Sequence, residues 1–127
     1  MNLFELFESK ASNILDNIDE ISYNDPSGWY VSGGCYEFAM ALNKVLKGST
    51  IITTDDATGN DMHAFVKYKD KYFDINGMHN SPDAVITDGD YVYTPPLIHN
   101  KASFNDLAQY TMQVNMKNVK KLVKELT

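Results

Sequence analysis

Apolar positions recur at helical spacing near both ends of the chain and alternate with polar ones in its middle. Leu3, Phe7, Ile14, Ile18 and Ile21, widened by Leu6 and Leu15, make a stripe that predicts a helix over residues 2–21. Asn2 with Glu5 three residues on supplies a capping pair for it. Asn24-Asp25-Pro26-Ser27-Gly28 breaks the stripe as a loop. After Trp29-Tyr30-Val31 and Ser32-Gly33-Gly34, a second stripe of Cys35, Phe38, Leu42, Val45 and Leu46 predicts a helix from about Cys35 to Lys47. Gly48 sits where that helix should stop.

Beyond Gly48 the period shortens. Thr50–Thr53 reads as a strand, and Asp55–Asp61 as a polar loop. His63–Tyr68 and Lys71–Ile75 read as a hairpin turning at Lys69-Asp70. Asn76–Asp83 is rich in turn formers, and Val85-Ile86-Thr87 with Tyr91-Val92-Tyr93 predict a second hairpin about Asp88-Gly89, ended by Pro95-Pro96. Ser103 with Asp106 opens a helix to about Met112. Met116, Val119, Val123 and Leu126 predict a last helix near Met116 to Leu126 whose other faces carry lysines. The order predicts an α+β fold: N-terminal helices packed on a small antiparallel sheet, then C-terminal helices, in a single domain over residues 1–127.

Composition narrows the classes of function. A chain of 127 residues with 43% hydrophobic and 22% charged residues can bury one core and is not disordered. The net charge is −6, and all eleven basic residues are lysines. An acidic chain without arginine holds phosphates poorly, so nucleic acid is not expected as a partner. The N-terminal stretch carries Glu5 and Glu8 where a signal peptide would be basic, and no apolar run is long enough to span a bilayer. A single cysteine, Cys35, forms no internal disulfide, which fits a reducing compartment. These features predict a cytoplasmic protein with no membrane partner.

Cys35 carries the candidate chemistry. A thiol attacks as its thiolate, and a helix start stabilises that anion through unpaired N–H groups and the helix dipole. Gly33-Gly34 allows a sharp backbone turn ahead of it. If the hairpin turns through two residues at Lys69-Asp70, then Phe65 faces Asp74 and His63 faces Asn76, so His63 and Asp74 share one face as diagonal neighbours. A loop of one residue more would send Asp74 to the other face. His63 would pair with Cys35 as base and later acid, and Asp74 would fix the imidazole tautomer.

In these features the chain resembles the papain-like and transglutaminase-like cysteine enzyme superfamily. Gly34-Cys35, His63-Ala64-Phe65-Val66 and Tyr72-Phe73-Asp74 follow that superfamily's order of cysteine, histidine and acid blocks, over roughly residues 29–77. The resemblance implies acyl chemistry through a Cys35 thioester, catalysed by Cys35, His63 and Asp74 without a cofactor, but names no substrate. The expected activity is that of a small intracellular hydrolase or acyltransferase acting on a peptide, isopeptide or side-chain amide. Papain-like peptidases usually add an oxyanion donor, a glutamine ahead of the cysteine. No glutamine stands there, and the indole N–H of Trp29 is the alternative.

The remaining candidates read as structural. His79 in a turn and His99 in a loop are expected to be solvated, as is the loop holding Asp55, Asp56 and Asp61, which lacks the spacing of a metal-binding motif. No metal is expected. Tyr72, Phe73, Tyr91 and Tyr93 read as core or cleft wall. The alternative function is a non-enzymatic acidic binding or inhibitor module on the same fold, phage- or mobile-element-encoded, that keeps these residues but buries the sulfur.

Overall fold

The run Phe38-Ala39-Met40-Ala41-Leu42 is apolar at every position, so a helix formed from it has no wet face along that stretch. A computed structural model, which describes residues 3–25, 27–31, 33–89, 91–110 and 114–127, places this run at the centre of the molecule. All five side chains are at most 1% exposed. The helix is α2, Cys35–Val45. The sheet lies against one side of it, and the C-terminal helix against another.

Ahead of it run α1, Leu3–Tyr23, and a short 3-10 turn, Trp29–Val31. After it come β1 (Thr50–Asp55), β2 (Asp61–Tyr68), β3 (Lys71–Asp74), β4 (Gly77–His79), α3 (Pro82–Thr87), β5 (Ile98–Ala102), α4 (Phe104–Tyr110) and α5 (Met116–Leu126). The fold is thus α+β, with an antiparallel five-stranded sheet ordered β4-β3-β2-β1-β5. Strand alternation divides its two faces. Ile51, Ala64, Val66 and Phe73 join α1, α2 and α5 in the larger core, through Ile18, Phe38, Leu42, Leu122 and Leu126. Ile52 and Phe65 form a smaller cluster with Val85 of α3 on the opposite face.

The β2–β3 hairpin turns as expected, with Tyr68 opposite Lys71 and Lys69 in the left-handed region at φ 57°. The helix after Ser103 is capped as expected. Asp106 N–H donates to the Ser103 hydroxyl at 3.0 Å, and Ser103 N–H donates to the Asp106 carboxylate at 3.2 Å. The capping pair of Asn2 with Glu5, the side chains of Leu3, Leu6 and Phe7, and the helix end at Met112 lie outside the described residues.

Three expectations are corrected. Val85-Ile86-Thr87 is not a hairpin strand but the body of α3. Ser81 caps it by accepting from Ala84 N–H at 3.1 Å, and Pro82, which suits a first turn, starts it. The turn-rich stretch after Asn76 contains β4, and the segment after Pro96 contains β5. Both are short outer strands, and β5, Ile98-His99-Asn100-Lys101-Ala102, is too polar to show a periodic signal. Among the described residues no helix is long and apolar enough to cross a membrane.

One polar tie crosses the core. Glu37 of α2 is 3% exposed and accepts from Asn115 N–H at 2.7 Å and Asn118 Nδ2 at 2.6 Å, which anchors the start of α5. Replacing Glu37 by Ala removes a charged acceptor shared by two bonds, though Asn118 Nδ2 keeps its bond to the Tyr30 hydroxyl at 3.2 Å. The change should therefore cost about 2 kcal/mol of unfolding free energy, read from urea denaturation. Lys121→Ala, at the exposed Lys121–Glu125 pair, should change stability by no more than about 0.5 kcal/mol.

Candidate active site

The loop ahead of α2 is organised by Asp25. Its carboxylate accepts from Trp29 N–H and Tyr30 N–H, both at 3.2 Å, and from the Ser27 hydroxyl at 3.1 Å. The chain then turns through Gly34, whose N–H donates to Trp29 C=O at 2.8 Å, and enters α2 at Cys35. The Trp29 indole lies along the Gly33-Gly34 backbone. A Cβ on Gly34 would collide with Cδ1 and Nε1 of the indole, and one on Gly33 would lie 2.9 Å from its six-membered ring. The two glycines are therefore required by the ring resting on them. Cys35, in the first turn, is buried at 4% exposure.

His63 and Asp74 meet as the hairpin register predicts. His63 Nε2 lies 2.9 Å from Asp74 Oδ2, and each residue is 1% exposed. A carboxylate only accepts, so the proton of this bond is on Nε2 and the lone pair of a neutral His63 is on Nδ1. The Tyr91 hydroxyl lies beside the ring, 3.3 Å from Nδ1 and 3.5 Å from Nε2, with the two rings 5.1 Å apart. The same hydroxyl donates to Val31 C=O at 3.2 Å, which ties the loop after α3 to the turn before α2. Burial pushes the Tyr91 phenol well above its usual range, and the charges of Asp74 and Cys35 push the same way. Tyr91 is thus within electrostatic reach of both the carboxylate and the sulfur.

Asp74 has further partners. Its Oδ1 accepts from Asn76 N–H at 2.9 Å and from His79 Nε2 at 2.8 Å. His79 is not solvated: in β4 it is 5% exposed, and its Nδ1 lies 2.9 Å from Asp88 Oδ2. The turn formers around it masked the strand. His99 is likewise held, in β5, between the Thr54 hydroxyl at 2.7 Å and Asp83 at 2.6 Å. Asp56, expected in a wet loop, is 3% exposed and accepts from Thr58, Asn60 and Thr94 N–H groups. The Thr58 hydroxyl and the Thr94 N–H hold its carboxyl below the usual range against the effect of burial. A cavity of about 330 Å³, lined by Val31, Asn76, Asp88, Gly89 and Tyr91, borders the histidine–aspartate cluster. Among the described residues no group of three or more His, Cys, Asp or Glu side chains is arranged to hold a metal ion.

Sequence reasoning missed His79, Asp88 and the position of Tyr91. The alternating Gly77-Met78-His79 carried a usable signal, since in a strand paired with β3 it sets His79 opposite Tyr72. Tyr91 carried none, because it belongs to no regular element.

The cluster makes stability depend on pH from both sides. Burial opposes the charge of Asp74, but hydrogen bonds from His63 and His79 and their charges outweigh it and hold the carboxyl below its usual range. This stabilisation is present above about pH 4 and is lost as pH falls through the lowered folded-state value. Burial also opposes the His79 cation, and Asp74 and Asp88 outweigh it and raise its pKa. That contribution is full below about pH 6.5 and is lost as pH rises through the raised value. Urea midpoints measured across pH should show both losses, and Asp88→Asn should move only the alkaline one, to lower pH.

Residues 10–124 match the family model described as "Phage YunG-like protein". No curated protein and no solved structure matches the chain. The family description names no reaction, so the chemistry rests on the site itself. Because the match takes in the Trp29–Cys35 turn, the whole sheet and most of α5, the chain belongs to the Phage YunG-like protein family.

Proposed function

We propose that this protein is a cysteine hydrolase or acyltransferase acting on an amide of a protein or peptide, with Cys35 as nucleophile, His63 as base and acid, and Asp74 as the group orienting His63. The observation that carries this reading is the buried 2.9 Å bond from His63 Nε2 to Asp74, which leaves Nδ1 as the basic nitrogen. A cysteine opening a central helix against an antiparallel sheet, with histidine and aspartate on adjacent strands, supports a papain-like or transglutaminase-like core.

The chemistry follows the usual balance of an acyl-thiol cycle. The Cys35 proton moves to His63, and the thiolate adds to the amide carbonyl, forming a C–S bond. The C–N bond then breaks, with His63 returning its proton to the departing amine. Water or a second amine attacks the thioester, giving its proton to His63, and the C–S bond breaks to regenerate the thiol. Backbone N–H groups at the α2 start, with the Trp29 indole N–H beside them, are the candidates to hold the oxyanion.

A second reading is favoured by the burial of Cys35 and by Tyr91 resting on His63. In it the chain is a non-enzymatic module that binds or inhibits a partner through its acidic surface. The word phage in the family description fits the mobile-element origin expected for such a module.

Alkylation of Cys35 by iodoacetamide as a function of pH separates the two. The enzyme reading expects an apparent pKa well below the free-thiol value of about 8.5, lost in His63→Ala, and a rate near neutral pH reduced about tenfold or more in Asp74→Asn. Slow alkylation with an ordinary pKa, unchanged in His63→Ala and not accelerated by Tyr91→Ala, overturns it in favour of the binding module.

A further inference from the structure

Asp74 is shared by two buried histidines. His63 donates to one carboxylate oxygen and His79 to the other, and the Asn76 N–H shares the second. The two ring nitrogens of His79 lie 2.8 Å from Asp74 Oδ1 and 2.9 Å from Asp88 Oδ2. A carboxylate offers no proton, so a ring bonded to two of them carries a hydrogen on each nitrogen and is an imidazolium. Such a cation is costly to bury without paired anions, and at 5% exposure His79 has one on each side. The Asp88 side chain, at 58% exposure, opens this string to solvent beside the cavity lined by Asn76, Gly89 and Tyr91.

We propose that His79 is a positioning residue for His63: a buried imidazolium that clamps Asp74 from the side opposite His63 and, through the shared carboxylate, sets how tightly His63 holds its proton. Two physical effects follow. The bond to Oδ1 fixes the carboxylate plane, which fixes the His63 ring. The cation also offsets part of the Asp74 charge, so His63 binds a proton less tightly than beside a lone aspartate. Both effects act on the group that serves as base and acid in the proposed reaction. The groups facing His79 are Asp74 and its cross-strand neighbour Tyr72 on β3, and Asp88 at the end of α3. From α1, Leu15 packs near the start of β4, at Gly77. The raised pKa of His79 agrees with this geometry. The benefit to catalysis rests on the cysteine-enzyme reading, whereas the coupling between the two histidines does not.

The test is an NMR titration of the imidazole Cε1–H signals in the parent, His79→Gln and Asp88→Asn, beside the Cys35 alkylation profile. Gln keeps an N–H donor for Asp74 but removes the charge. The His63 midpoint should therefore rise by about one pH unit in His79→Gln, and the alkylation profile should shift with it. Asp88→Asn alters a mostly exposed side chain and so tests the coupling even where His79→Gln does not fold. There the His79 midpoint should fall, and the His63 signal should show a step at the same lowered pH. A His63 midpoint within about 0.2 pH unit of the parent in a folded His79→Gln overturns the inference. So does a His63 signal in Asp88→Asn that ignores the His79 step. Coupled histidines with Cys35 reactivity independent of His63 would uphold the coupling and overturn the enzyme reading alone.

Discussion

A carboxylate removed from water must find its donors inside the protein, and Asp74 is the place where that requirement shapes this molecule. At 1% exposure, between Phe73 and Ile75 that are themselves buried, it retains its charge because His63, His79 and the Asn76 N–H all donate to it. These donors come from β2, from β4 and from the turn joining β3 to β4. Satisfying one side chain therefore ties the central hairpin, whose register its turn sets, to the outer strand. The cluster continues through His79 to Asp88, which holds the end of α3 against the sheet. A charge that would be a liability if left alone thus becomes the joint of four elements.

The second constraint is steric and lies at the other end of the site. Helix α2 is buried along most of its length, and the Gly33-Gly34 turn that leads into it carries the Trp29 ring. Tyr91 closes the space between that turn and the sheet, bonding to Val31 on one side and facing His63 Nδ1 on the other. A single hydroxyl proton cannot serve both acceptors at once. Donation to Val31 leaves the phenol oxygen to accept from a protonated His63, and donation to Nδ1 releases Val31. The hydrogen bonding of Tyr91, which lines the adjoining cavity, is thus sensitive to the protonation of His63.

Polar bonds in the core separate into two kinds of work. The Glu37 tie to the Asn115 N–H and the Asn118 side chain, and the Asp56 turn with the Thr58, Asn60 and Thr94 N–H groups, satisfy donors at a helix start and in a loop. Each resolves a local hydrogen-bonding need. The Asp74 cluster differs in that two titratable rings converge on it from separate strands, which neither helix capping nor loop closure requires.

Local signals in the sequence determined much of this. The Lys69-Asp70 turn and the alternation on either side of it set the hairpin register, and hence the meeting of His63 with Asp74, because strand period and loop length leave no other pairing on one face. The Ser103–Asp106 pair determined a helix start for the same kind of local reason. Ser81-Pro82 held an equally local signal for α3, overshadowed by the hairpin-like Asp88-Gly89. Tertiary structure alone decided the rest. The burial of His79, the polar strand β5 and the seat of Tyr91 depend on partners distant in the chain, and no periodicity reports a partner. The two carboxylates that flank His79 converge only once β3, β4 and α3 have packed together.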